Sequence, residues 1–335
     1  MKNSQISSAK PNNLAPLALT AFLAALSAFI GVCAGSVYIP PNELLNAFFG
    51  GSAADILFYA RIPRVLGCLL AGSALAVSGA VIQSVLSNPL AAPNVIGVNS
   101  GAGFVAALCC AVFPASVELL PIAAFLGALA AVMLVMLIAK RTSASRMTLV
   151  LAGVAVSAVF SAGIDSIVTF FPDALNGYSD FRIGGMENMT LLRLLPAFRV
   201  IALALLAVIL LSHEMDILRL GDDTARSLGL SVAALRIVLL TLAAALAGAA
   251  VSFAGLLGFV GLVVPHIMRR FTGGSSFTLI IGSAFGGAAL LTFCDTLARV
   301  IFAPFELPVG IVLAFIGGPF FIWLLLRQRG GRSHA

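Results

Sequence analysis

Charge and catalytic side chains are scarce in this sequence. Only 10% of its 335 residues are Asp, Glu, Lys or Arg, far below the share in soluble globular proteins. None of the three lysines, Lys2, Lys10 and Lys140, follows a glycine, so the phosphate-binding loop G-x-x-x-x-G-K-[ST] is absent. The chain is therefore not expected to hydrolyse ATP.

Metal-binding and nucleophilic motifs are missing as well. The histidines, His213, His266 and His334, are too widely spaced for a zinc motif, and no local Ser, His and acid arrangement suggests hydrolysis. The five cysteines stand in apolar runs without a C-x-x-C pair, which predicts packing residues. We expect no catalytic residue, no metal site and no cofactor bound by this chain.

Long apolar runs are abundant. Hydrophobic residues make up 61% of the chain and the mean hydropathy is +1.11, which is typical of an integral membrane protein. Runs of about 20 apolar residues cross a bilayer as helices, because lipid offers no partner for unpaired backbone amides. An all-α polytopic fold with about ten transmembrane helices is predicted, at 14–37, 64–86, 95–113, 121–139, 147–171, 194–212, 235–254, 256–270, 278–302 and 307–326.

Basic residues predict the orientation of these spans. With the N-terminus inside, 13 of the 19 Lys and Arg residues lie on the inner side, in agreement with the positive-inside bias. The outer side keeps Arg61, Arg64, Arg182, Arg193, Arg199 and Arg299. The net charge of +6 then reflects topology and anionic lipid, so nucleic acid is not an expected partner.

Both termini are cytoplasmic in this topology. Residues 1–13 form an N-terminal tail, 14–328 form a single transmembrane permease domain with a cytoplasmic loop at 213–236, and 329–335 form a C-terminal tail. The first apolar run is too long for a cleaved signal peptide and is predicted to be a membrane span.

Four stretches together carry a family resemblance. They are RIPRVLGCLLAGSALAVSGAVIQSVLSNPLAAPNVIGVNSGAG (61–103), GDDTARSLGLSVAALR (221–236), SFAGLLGFVGLVVPHIMRRFTGG (252–274) and CDTLARVIFAPFELPVGIVLAFIGGPFFIWLLL (294–326). In order and spacing they resemble the membrane permeases of bacterial ABC importers, of type II, for iron-siderophore complexes, haem and cobalamin.

The resemblance implies a permease subunit in the bacterial cytoplasmic membrane. It implies a second permease, identical or paralogous, around a pathway on a twofold axis, an extracytoplasmic substrate-binding protein, and two ATPase subunits that carry ATP and magnesium. An iron chelate is the implied cargo, and cobalamin and haem stay open. An ion-coupled secondary transporter is the alternative from another class, but it would need ionisable groups deep in the spans, where only Asp165 and Asp295 qualify.

Arg61 and Arg64 lie on the outer side, against the charge bias. Residues at i and i+3 share one helix face, and a guanidinium binds a carboxylate bidentately. In the family this pair, with an arginine that matches Arg299, receives carboxylates of the binding protein, so we expect docking there. Membrane-interface anchoring is the alternative for the pair, and Asp295 is a competing partner for Arg299 at i, i+4.

Two prolines force a turn in SNPLAAP, residues 87–93, because each removes a backbone donor and disfavours helix before it. The turn falls on the inner side. The resemblance makes Asn88 and Leu90, together with Thr142 and Ser143, an inner gate; a plain kink between spans is the alternative.

The segment 221–236 is predicted to form two short helices. Asp222, Asp223 and Thr224 start the first helix, Gly229 ends it, and Ser231 caps the second. The segment resembles the family's ATPase-coupling element; a solvated loop is the alternative. The coupling residues so implied are Gly221, Asp222, Asp223, Ala225, Leu228, Gly229 and Leu230.

Asp165 is a candidate polar residue of the pathway. It stands late in the fifth span, near the outer mouth. Its carboxylate could contact the cargo, a neighbouring helix or lipid headgroups.

Overall fold

The computed structural model describes residues 14–35, 40, 43, 46–47, 51, 54–114, 116–141, 146–187 and 189–330. Within these ranges the chain forms thirteen α-helices and no β-strand. They are α1 Leu14–Cys33, α2 Ile62–Leu86, α3 Val98–Val112, α4 Leu120–Arg141, α5 Arg146–Phe170, α6 Ala174–Ile183, α7 Leu191–Leu210, α8 Ser212–Arg219, α9 Asp222–Ser227, α10 Val232–Ala254, α11 Val260–Arg269, α12 Ser276–Val300 and α13 Val309–Gly330. A π-helical turn, Ile56–Arg61, leads directly into α2.

Ten of these helices are apolar enough to match the ten predicted spans. Eight are long enough to cross a membrane, and the two shorter apolar helices are α3 and α11. The prediction of an all-helical polytopic membrane protein is confirmed. Of the predicted tails and the predicted first span, residues 1–13, 36–37 and 331–335 lie outside the described residues.

The two short helices are shorter than predicted because the backbone breaks before them. Gly97 has a positive φ of 85° immediately ahead of α3. Gly255, with φ of 74°, follows α10, and Phe259, with φ of 65°, precedes α11. A positive φ lies outside the right-handed helical region and interrupts regular helix, so α11 begins at Val260 and not at residue 256.

Helix α2 is the centre of the fold and is buried on nearly all sides. It packs against α10, α11 and α12. A Cβ atom on Gly79 would overlap the carbonyl oxygen of Gly261 in α11, and one on Gly72 would overlap that of Gly287 in α12. Glycine is thus required where these backbones touch, the small-residue packing that membrane helices use without a hydrophobic driving force between them.

The helix ends divide between two faces of the bundle as the charge pattern predicted. The C-terminal end of α1 meets the N-terminal end of α2 and the C-terminal end of α12, through Arg61 and Arg299. At the other face the N-terminal ends of α5 and α10 meet α9, through Arg146 and Arg236. We call these the outer and the inner face, following the positive-inside assignment.

Candidate functional site

An ionic cluster occupies the outer face. We define it as Arg61, Arg64, Asp295, Arg299 and Glu306. Arg64 Nε donates to both oxygens of Asp295 at 3.1 Å, and its Nη2 donates to Asp295 Oδ1 at 3.0 Å. Arg64 Nη1 donates to Glu306 Oε2 at 2.5 Å. One guanidinium thus joins α2 to α12 and to the turn before α13.

The local sequence places these groups together. Asp295 and Arg299 are four residues apart on α12, and Arg299 Nε lies 3.0 Å from Asp295 Oδ2. The predicted intrahelical pair is therefore confirmed. Arg64 stands in the first turn of α2, directly after Pro63. Proline is common in the first turn of a helix, because the first helical amides need no partner within the helix.

The remaining guanidinium groups cap the end of α1. Arg299 Nη1 donates to Ala34 O and its Nη2 to Gly31 O, both at 3.0 Å. Arg61 Nη1 also donates to Ala34 O, at 2.5 Å. Cations at a helix C-terminus satisfy carbonyls that have no partner in the helix and complement its dipole.

These contacts bear on the expected docking role of the arginines. The structure brings all three to the outer face, but Arg61 is 5% exposed, Arg299 1% and Asp295 0%, and their contacts are within the chain. Glu306 is the most exposed carboxylate of the cluster, with 26% of its side chain exposed. Docking at these residues stays a prediction. The ion pair between Arg64 and Glu306 is the most accessible one in the cluster.

The inner turn after α2 has a defined geometry. Ser87 is left-handed, with φ of 47°, and Asn88 N donates to Gln83 O at 3.1 Å. Asn88 Oδ1 accepts from Leu90 N at 2.9 Å, a side-chain turn that replaces helix. Thr142 and Ser143 lie outside the described residues, so the four-residue gate stays a prediction.

A buried polar link lies beside this turn and was not predicted. Arg269, near the end of α11, donates to Gln83 Oε1 at 3.3 Å and to Ser84 Oγ at 3.0 Å. Gln83 and Ser84 are both buried. The link ties the last turn of α2 to α11. The sequence signal was the adjacent polar pair Gln83 and Ser84, four and three positions before Ser87, at the end of a largely apolar span.

The inner face also carries the segment 221–236, for which two short helices were predicted. Only the first is a separate short helix, because residues 232–236 are the start of the long helix α10. We call residues 221–231 the knob. Helix α9 covers Asp222–Ser227, Gly229 is left-handed with φ of 85°, and Ala225 is fully buried. The N-cap position is Gly221, and Ser231 makes no capping hydrogen bond, contrary to the expectation. Asp222, Asp223 and Thr224 form the first turn of α9, as expected.

Asp222 anchors the knob to the bundle. Arg236 Nη2 donates to its two oxygens at 2.7 and 2.8 Å, and Arg146 Nη2 donates to Oδ1 at 2.8 Å. Burial raises the pKa of the Asp222 carboxyl, but the hydrogen bonds and charges of Arg236 and Arg146 outweigh it and hold this pKa below its usual value. The carboxylate therefore stays ionised at neutral pH.

Part of the surface of the knob is exposed to solvent. Leu228 is 60% exposed, the Asp223 side chain is 99% exposed, and no atom lies within 4 Å of a Cβ built on Gly221 or Gly229. An exposed leucine beside unobstructed glycines is a surface that a partner can contact closely. The coupling role stays a prediction.

Asp165 is exposed on α5, and its carbonyl accepts from Thr169 Oγ1 at 2.7 Å. Ala158, Ala162 and Thr169 are exposed with it and share its helix face by spacing. The structure thus puts Asp165 on a face of small side chains. Contact with cargo stays a prediction. Among the described residues, no three His, Cys, Asp or Glu side chains are grouped closely enough to hold a metal ion.

Ten apolar helices, a helical knob at the inner face and an ionic cluster at the outer face define a polytopic membrane permease. The FecCD transport family model matches residues 23–327, and the chain belongs to this family. It is a permease subunit of the ABC importer class, a transporter component and not an enzyme, as the sequence resemblance predicted.

Characterised relatives are similar over most of the chain. The Fe(3+)-citrate import permease YfmE of Bacillus subtilis is 37% identical, covering 93% of this chain and 94% of its own. The hemin permease HmuU of Yersinia pestis is 37% identical, covering 89% and 91%. The Fe(3+) dicitrate permease FecD of Escherichia coli is 37% identical, covering 90% and 95%.

A solved structure has the same fold. It is a metal-chelate type ABC transporter in an inward-facing conformation, with a TM-score of 0.83 at 27% identity, and the match covers 94% of this chain and 99% of that one.

Proposed function

We propose that this chain is the permease of a bacterial importer for ferric siderophores and related ferric chelates, in the cytoplasmic membrane. The observation that carries the proposal is its similarity, over about nine-tenths of its length, to permeases named for ferric citrate and ferric hydroxamate. A second permease subunit completes the pathway. Two separate ATPase subunits carry ATP and magnesium, and this chain binds no cofactor.

The face of α5 supports a bulky cargo. Ala158, Ala162, Asp165 and Thr169 are exposed there, and small side chains leave room between two permease copies. A pathway with few fixed ligands releases a chelate easily, because strong polar contacts would retain it. In this proposal Asp165 is a polar contact near the outer mouth.

Hemin is the second candidate cargo. The hemin permease of Yersinia pestis is as similar as the ferric citrate permeases, at 37% identity. Cobalamin is the third candidate cargo, and it rests on the family resemblance alone.

Docking of the binding protein involves a partner exchange at Arg64. Glu306 binds Arg64 Nη1 at the most exposed edge of the cluster, whereas Asp295 holds the other nitrogens and is fully buried. A carboxylate of the binding protein would replace Glu306 and leave the Asp295 bond intact. Arg61 and Arg299 then act mainly by fixing the end of α1 on which the docked protein rests.

The knob transmits force from the ATPase. Leu228 and Gly229 form its exposed tip, and Asp222 connects it to the N-terminal ends of α5 and α10. Movement of the knob would therefore tilt α5, which faces the pathway. The turn at Asn88 and Leu90, with Thr142 and Ser143, closes the inner end.

Reconstituted transport tests the proposal. The permease, its ATPase and its binding protein are placed in proteoliposomes, and uptake of a radiolabelled ferric siderophore is measured with hemin and cobalamin as unlabelled competitors. Uptake should require enclosed ATPase, ATP and external binding protein, and competition should rank the cargoes.

A catalytically inactive ATPase subunit is the control for nucleotide dependence. Uptake that continues without ATP and stops with a protonophore would identify an ion-coupled transporter and reject the proposal. If only hemin or only cobalamin inhibited uptake, the assignment as an ATP-driven importer would stand, and that compound would replace the ferric siderophore as the proposed cargo.

A further inference from the structure

A cavity of about 670 Å³ lies at the inner face between α4, α5, α10 and the knob. Met136, Leu149, Ile237 and Leu240 form its apolar wall. Ile237 is 44% exposed, so the apolar wall of the cavity continues onto the apolar side of the helix bundle that faces the membrane. The cavity therefore connects the membrane-facing surface with the helix ends at the level of the lipid headgroups.

The mouth of the cavity is strongly cationic. Lys140, Arg146, Arg226 and Arg236 line it, and Asp222 is the one acidic lining residue among the described residues. Asp222 is shared by Arg146 and Arg236. Arg226 also pairs with Asp223, but that pair is exposed, and exposed ion pairs are weak. Positive charge remains in excess, which favours an anionic ligand.

Arg236 is the most buried of these basic residues. It is 8% exposed, its Nη2 is bound to Asp222, and its Nε is closed to solvent and has no hydrogen-bond partner among the described residues. The guanidinium of Arg236 is thus held by Asp222 inside the protein. Lys140 and Arg226 are the exposed basic residues of the lining, and a ligand that enters the cavity meets them first.

We propose that this cavity binds an anionic phospholipid, with the phosphate at Lys140 among the basic residues of the mouth and an acyl chain along the apolar wall. Basic pockets at the cytoplasmic side of membrane helices suit anionic headgroups, and charge-assisted bonds to phosphate are strong. The apolar wall selects lipid over a soluble phosphate, because phosphate alone would leave Met136, Ile237 and Leu240 uncovered. The lipid lies directly behind the knob and supports its attachment.

Native mass spectrometry of the detergent-purified permease tests the site. The protein is offered equimolar phosphatidylglycerol and phosphatidylcholine with identical acyl chains. The wild type should retain phosphatidylglycerol preferentially, and Lys140→Gln should lower that retention about fivefold, as expected for loss of one charged contact. The matched control is Arg141→Gln, which removes the neighbouring charge outside the cavity lining and should keep the preference.

A second pair of variants tests the cavity without changing charge. Ala233 lines the cavity and Ala234 does not, and both are exposed positions at the start of α10. Ala233→Phe should fill the space and reduce phosphatidylglycerol retention, whereas Ala234→Phe should not. Size-exclusion chromatography confirms that each variant is folded and monodisperse.

The outcomes separate the proposal from its alternatives. Equal retention of the two lipids, equal effects of Lys140→Gln and Arg141→Gln, or full retention in Ala233→Phe would each overturn it. Displacement of the lipid by millimolar inorganic phosphate would assign the cavity to a soluble anion and also overturn it. The measurement uses the isolated permease, so it is independent of whether the proposed cargo is correct.

Discussion

Arg64 binds the fully buried carboxylate of Asp295 through two nitrogens, while Arg299 approaches the same carboxylate from one turn further along α12. One acidic side chain thus balances two cations at the junction of α1, α2 and α12. A carboxylate in this position is tolerated within an apolar helix because both of its oxygens are paired.

Asp295→Asn should destabilise the permease by about 3 kcal/mol, because removing one partner leaves buried guanidinium groups uncompensated. Thermal unfolding in detergent, followed by the loss of monodisperse protein, measures the effect. Asp165→Asn removes an exposed carboxylate from another span and should leave the unfolding temperature unchanged. Equal stability of the two variants would contradict the balancing role of Asp295.

Glu306→Gln should increase the affinity for the binding protein about threefold to tenfold, since it frees Arg64 Nη1 from an internal competitor worth about 1 kcal/mol. Surface plasmon resonance with the immobilised permease measures the dissociation constant. Glu187→Gln changes another exposed carboxylate in the segment before α7 and serves as the control. A weaker complex with Glu306→Gln would show that Glu306 supports docking by itself.

Periodicity and charge predicted most of the fold. Apolar runs located the ten spans within a few residues, because lipid allows few backbone solutions, and basic residues located the two faces. The breaks at Gly97 and Phe259 were not placed to the residue. Positive φ at a phenylalanine is set by tertiary packing, and no local pattern encodes it.

The ionic cluster could be predicted only in part. The i, i+4 spacing gave the Asp295 and Arg299 pair, and the resemblance gave the arginines as a group. The bond between Arg64 and Asp295 joins residues 231 positions apart, and Glu306 is reached through a turn. Such long-range contacts depend on how helices pack, which single-sequence patterns do not specify.

Gly229→Leu should uncouple ATP hydrolysis from uptake. The substitution forces a side chain into a left-handed conformation with φ of 85°, at a cost of about 1–2 kcal/mol, and enlarges the tip of the knob. In the assembled importer, ATP hydrolysis should persist while uptake falls about tenfold. Gly274→Leu is the matched control, because Gly274 has φ of 102° and equally open surroundings but lies outside the knob. Equal losses in both variants would assign the effect to backbone strain alone.

The attachment of the knob should depend on pH only under acidic conditions. Asp222 has a pKa below its usual 3.8 in the folded protein, so its ion pairs with Arg146 and Arg236 stabilise the knob fully above that value. This stability is lost as the pH falls through the lowered folded pKa.

Hydrogen exchange of the backbone amides of residues 221–231 tests this. After correction for intrinsic rates, their protection should be constant from about pH 5 to about pH 8, because this whole range lies about one unit or more above the usual carboxyl pKa. Protection should decrease below about pH 3.8. Asp222→Asn should reduce protection from about pH 5 to about pH 8 and abolish the acidic step, whereas Asp223→Asn, at a fully exposed side chain, should retain it. A loss of protection near neutral pH in the unmodified protein would show that a group other than Asp222 holds the knob in place.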